Sequence, residues 1–80
     1  RRSYSVNIFV LYFKKTSRIF DKIRKRYGLD AETLDLEFRR RTQIIYALYQ
    51  RKIFSFEEVQ KIINEYYKKP QEVLRKLGIE

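Results

Sequence analysis

The stretch Ser55-Phe56-Glu57-Glu58 constrains this chain more than any other. A serine followed three residues later by a glutamate is a capping box, in which the serine side chain takes a backbone N–H that the first helical turn leaves unpaired. Phe54 and Val59 occupy the staple positions around it. A helix therefore starts at residue 56, and what precedes it must be a separate element. Val59, Ile62, Ile63 and Tyr66 then recur at helical spacing, which predicts a helix over 56–68 with those four on one face.

The rest of the punctuation has the same character. Pro70 suits the first position of a short helix over 71–77, which uses Val73, Leu74 and Leu77 and stops at Gly78. In "YYKKP", Tyr66 belongs to the apolar stripe and the two lysines sit where the helix dipole favours cations. Tyr67, at the edge of the stripe, is the one part of that run expected to face a partner. Asp30 caps a long helix predicted over 31–52, with a stripe of Leu34, Phe38, Ile45, Leu48 and Tyr49 and with Ile44 on its flank. Arg41 interrupts that stripe. Glu37 lies one turn before it, in the acid-first order that favours an ion pair. Two readings of Arg41 follow: a stem laid along the core with its head on Glu37 or another acid, or an arginine presented to a neighbouring chain.

Upstream, Gly28 ends a helix predicted over 17–27 and capped by Thr16 or Ser17. Ile19, Phe20, Ile23 and Tyr27 share one face of it, and Arg18, Lys22, Lys25 and Arg26 the other. "SVNIFVLYF", residues 5–13, is β-branched and aromatic, which predicts a strand or the remnant of a hairpin. The expected architecture is thus mainly α: a short N-terminal strand, a compact bundle of three helices and a short fourth helix. Eighty residues make one domain, with about 60–65% of the unfolded surface buried.

Charge is distributed unevenly. Residues 1–28 carry nine basic residues and one acid, Asp21, whereas residues 29–80 carry ten basic and nine acidic, so +8 of the net +9 lies in the first third. A concentrated basic face points to an acidic protein surface, anionic lipid or nucleic acid. The aromatic residues expected on the predicted first helix lie opposite its cations, which is poor placement for base stacking.

Catalytic equipment is not recognisable. Without Cys or His there is no thiolate chemistry, no zinc site of the usual kind and no imidazole acid or base. Both glycines read as helix stops rather than as a phosphate-cradling loop. Asp30/Glu32 and Glu57/Glu58 fall in first turns, where the helix dipole accounts for them. The expectation is no catalytic residue, cofactor or metal, and no membrane-spanning run. Abundant Lys, Arg and Glu with no Cys or Met leans towards thermophile usage. The chain opens Arg1-Arg2-Ser3, from which we expect a piece of a longer protein.

Residues 17–77 carry an ordered set: Ser17, Gly28, Glu37, Arg40 and Arg41, Glu58 and Val59, Ile62 or Ile63, Tyr66 and Tyr67, Pro70, Val73 and Leu74. In this order and spacing the chain resembles the C-terminal region of archaeal type II/IV secretion system ATPases, the motors of archaeal pili and the archaellum. The loop "RKIFSF" departs from the Gly-containing loop usual there. The resemblance implies a non-catalytic, cytoplasmic end piece of a hexameric motor, with the ATP-hydrolysing parts upstream. Its implied partners are neighbouring subunits or a cytoplasmic loop of a membrane platform protein, reached through Arg18, Lys22, Lys25, Arg26, Arg41 and Tyr67. An independent basic nucleic-acid-binding module is the alternative.

Overall fold

The computed structural model describes the backbone of residues 2–79 and the side chains of residues 7–79. Four helices follow one another: α1 (Arg2–Tyr27), α2 (Ala31–Gln50), α3 (Phe56–Lys68) and α4 (Pro70–Lys76). Among the described residues there is no strand. The strand expected over 5–13 and the helix expected over 17–27 are one continuous helix of 26 residues.

The physical reason is periodicity. Phe9, Phe13, Thr16, Phe20, Ile23 and Tyr27 advance in alternating steps of four and three, with Tyr12 beside them, so they form a single stripe that packs against α2 and α3. Strand propensity mostly expresses fit to a half-buried surface, and here the packed surface is helical. Phe9 meets Tyr49 edge-on at 5.0 Å between ring centres, and Tyr12 meets Phe54 at 5.2 Å. Thr16 therefore lies mid-helix and is no cap: its fully buried hydroxyl donates back to the carbonyls of Tyr12 and Phe13, at 2.9 and 3.1 Å.

The remaining punctuation is as expected, with small shifts. Gly28 takes φ +56° directly after α1, and Gly78 takes φ +76° after α4. Asp30 Oδ1 accepts from the Thr33 amide at 2.8 Å, and hydrogen bonding to the Thr33 side chain, then to its amide, holds the Asp30 carboxyl below its ordinary range. α2 ends at Gln50 rather than 52, because Lys52 turns to φ 58° and Ile53 leads the chain away. Pro70 opens α4 as its first residue.

Ser55 caps α3 by accepting from the Glu58 amide at 3.5 Å, one half of the expected box. Phe54 packs on Tyr12 and Tyr49, so its ring serves α1 and α2. Ser55→Ala is expected to lower stability by about 1 kcal/mol, read as a shifted denaturation midpoint at unchanged slope.

The core is built from Tyr12, Phe20 and Ile23 of α1, Ile44, Ile45 and Leu48 of α2, Val59, Ile63 and Tyr66 of α3, and Val73 and Leu74 of α4. α1 is the hub, packed on both α2 and α3, and α4 packs on α3. In α2 the stripe is rotated from the expected one. Phe38 is 58% exposed, while Glu37 is only 3% exposed and takes the inward place.

Tyr12 ties α1 to the α2–α3 loop, its hydroxyl donating to the Ile53 carbonyl at 2.5 Å. Burial pushes this phenol up from 10.0 to about 12. A group whose folded pKa is raised stabilises fully below its unfolded pKa and loses that contribution as pH rises towards the folded value. Stability is therefore expected to fall between about pH 10 and 12, by at most about 3 kcal/mol from Tyr12. Urea denaturation across that range should show a shallower fall in Tyr12→Phe than in the wild type.

Candidate interaction surface

One side of α1 is consumed by the core, which leaves the other to solvent. On that outer side Lys14, Arg18, Lys22, Lys25 and Arg26 are all exposed. None of these five makes a hydrogen bond, ion pair or ring contact among the described residues. Lys14 to Arg26 covers about 18 Å of helix at 1.5 Å per residue. Two other cations of α1 are engaged. Lys15 lies 5.6 Å from the centre of the Phe56 ring, and Arg24 pairs with Asp21 at 3.3 Å.

The predicted contact residues thus separate into two groups. Arg18, Lys22, Lys25 and Arg26 share the open surface. Arg41 and Tyr67 lie elsewhere and are drawn inward.

Arg41 follows the first of its two readings, with a different acid. Its side chain is 13% exposed, and Nη1 donates to Asp21 Oδ1 at 3.4 Å, joining α2 to α1. The guanidinium sits 4.9 Å from the centre of the Phe38 ring and 6.0 Å from that of Phe13. Asp21, half-exposed, accepts from both Arg24 and Arg41. Solvent-screened pairs of this kind contribute about 0–1 kcal/mol, so much of what Arg41 contributes is the packing of its stem and plane.

Glu37 binds Tyr67 instead of Arg41. The Tyr67 hydroxyl donates to Glu37 Oε2, while Oε1 is buried with no hydrogen-bond partner. Burial raises the Tyr67 phenol well above its ordinary value, and the bond to Glu37 raises it further. Tyr66 is raised as well, by burial and then by the Glu37 charge, with Arg40 opposing. The Tyr67 ring stacks on Tyr27 at 5.2 Å and 15°, which fastens the end of α1 to α3. A groove of about 240 Å³ opens beside this cluster, walled by Leu29, Leu36, Arg40, Tyr66 and Pro70 among others.

The Glu37–Tyr67 pair was not anticipated from the sequence. A signal was present: Leu34, Glu37, Arg41, Ile44 and Leu48 alternate steps of three and four, which puts Glu37 within the inward stripe.

Among the described residues no group of acids is arranged to hold a metal ion, and no helix is long and apolar enough to cross a membrane. No protein family, curated protein or solved structure matches the chain.

Proposed function

We propose that this chain is a non-catalytic interaction domain whose α1 cations engage an acidic surface. One observation carries the reading: Arg18, Lys22, Lys25 and Arg26 are exposed and unpaired on a helix whose opposite side builds the core. Such a face binds without disturbing the fold, and charges of this kind mostly govern association rate and salt sensitivity.

The resemblance to the C-terminal region of archaeal type II/IV secretion ATPases supplies the setting. In it, the acidic surface belongs to an adjacent motor subunit or to a cytoplasmic loop of the membrane platform. Arg41 and Tyr67 are the lesser members of the proposed contact set, since Asp21 and Glu37 hold their polar heads.

The test is charge reversal in the full-length parent. Lys22→Glu with Lys25→Glu should preserve the circular dichroism spectrum, since both side chains are exposed. It should weaken subunit assembly or platform capture, most at low ionic strength. Unchanged assembly and capture from low to moderate salt contradicts the reading. The motor setting further requires that the reading frame run upstream of Arg1 through a phosphate-binding loop, and that the isolated chain give no saturable heat with ATP and magnesium.

A basic nucleic-acid-binding module is the second reading, favoured by the +8 concentrated in the first 28 residues. Against it, Phe9, Phe13 and Phe20 of α1 pack towards the core and offer no stacking platform beside the cations. Nucleic-acid affinity is expected to be weak, blind to sequence and steeply salt-dependent. Strong sequence discrimination at physiological salt would select this alternative.

A further inference from the structure

The outer side of α1 changes character along its length. Leu11, Lys14, Arg18, Lys22 and Lys25 succeed one another at steps of three, four, four and three, so they stand in one row. The row begins apolar. Leu11 is 59% exposed, and Ile8 and Val10 flank it, exposed on either side. Four cations follow. Asp21 is the one acid in the helix, and it is occupied by Arg24 and Arg41.

We propose that this row docks the protein directly on an anionic membrane surface. Ile8, Val10 and Leu11 enter the boundary between headgroups and acyl chains, and Lys14, Arg18, Lys22 and Lys25 lie among the phosphates. The helix lies in the plane of the surface rather than across it. No helix of the described residues is apolar enough to span, whereas an apolar anchor joined to a cationic row is the pattern of an interfacial helix. The geometry suits a plane, because α1 spans about 39 Å at 1.5 Å per residue, close to the 40 Å longest dimension of the molecule. The domain would lie lengthwise, with α2, α3 and α4 held away from the lipid.

Three features favour lipid over other polyanions. The exposed anchors are aliphatic, and aliphatic side chains offer nothing to nucleic-acid phosphates or to stacked bases. The row is the convex ridge of a single helix, and the grooves on α2, α3 and α4 lie off it. Mobile headgroups match a ridge without needing a complementary cleft. Finally, an apolar patch of about three residues is too small for a stable protein interface of about 800 Å² per partner, but it suffices to seat a helix whose cations supply the rest. The inference shares α1 with the proposed protein contact but needs no motor parent, so the two stand or fall separately.

The test is sedimentation of the purified chain with vesicles of equal parts phosphatidylglycerol and phosphatidylcholine, against pure phosphatidylcholine. Binding to the anionic vesicles should be at least about tenfold tighter, and at about 1 M salt, where screening acts within ~3 Å, it should largely disappear. Lys22→Glu with Lys25→Glu should weaken it about a hundredfold or more, each cation near the surface being worth roughly a factor of five. Leu11→Ser keeps every charge and, at an exposed site, the fold. It should weaken vesicle binding about tenfold and leave protein-partner capture unchanged.

Equal binding to both vesicle types, or binding to neither, overturns the proposal. So does vesicle binding that is lost on charge reversal but indifferent to Leu11→Ser, which would reduce the row to a general polyanion contact. Tighter binding to duplex DNA, or to an acidic helical peptide, than to anionic vesicles would overturn it in favour of that partner.

Discussion

Phe20→Ala should destabilise the domain by about 4 kcal/mol, the usual range for a core Phe being about 3–5. Phe20 is 1% exposed, sits in the C-terminal third of the hub helix and meets the Tyr67 ring edge-on at 6.4 Å. Its removal opens a cavity where α1 and α3 join. A chain of 80 residues has a total stability of about 4–12 kcal/mol at the common per-residue values. The variant is thus expected at the margin of folding, with its urea midpoint lowered by a third of its value or more. A loss below about 1 kcal/mol would mean that α1 does not pack as described.

Tyr66→Ala should cost about 3 kcal/mol. The ring is 6% exposed and lies in the core shared by the four helices, beside Tyr67 at 5.2 Å. No hydrogen bond holds its hydroxyl among the described residues, so Tyr66→Phe should be near neutral, within about 0.5 kcal/mol. The pair of variants separates a packing role from a polar one. A near-neutral Tyr66→Ala in chemical denaturation would place the ring at the surface and make "YYKKP" a presented motif rather than a helix end.

How much of this was legible in the sequence depends on whether the signal was local. Caps and stops are local chemistry, so Asp30, Ser55, Pro70, Gly28 and Gly78 marked their boundaries almost to the residue. Residues 5–13 carry the β-branched and aromatic composition of a strand, yet the three-four spacing of Phe9, Tyr12, Phe13 and Thr16 makes them helical. That stepping has meaning only once α2 and α3 are present to cover it.

The rotation of the α2 stripe was hidden by a similar bias. Phe38 is the more apolar residue, yet Glu37 goes inside because Tyr67, thirty positions later, offers it a hydroxyl. Arg41 then turns to Asp21, twenty positions earlier, and Phe38 covers its guanidinium from outside. Neither pairing is visible in one helix alone. The basic face was legible, since the charge of residues 1–28 and the spacing of Arg18, Lys22 and Lys25 are sequence properties. Its extension into the exposed Ile8, Val10 and Leu11 was not, because a strand reading puts residues 8 and 10 on one side and 11 on the other.

If the outer face of α1 is a contact surface as proposed, its lysines are shielded in the cell. The most direct measurement is the acylation rate of individual lysines in a native cell extract relative to the purified chain, read by peptide mass spectrometry. Lys52, Lys61 and Lys69, exposed on the α2–α3 loop, on α3 and just after it, serve as internal controls. Lys14, Lys22 and Lys25 are expected to be slowed in the extract while the three controls react as in the purified chain. Equal reactivity of all six in both settings would contradict the proposal and leave the α1 cations as a solvated face.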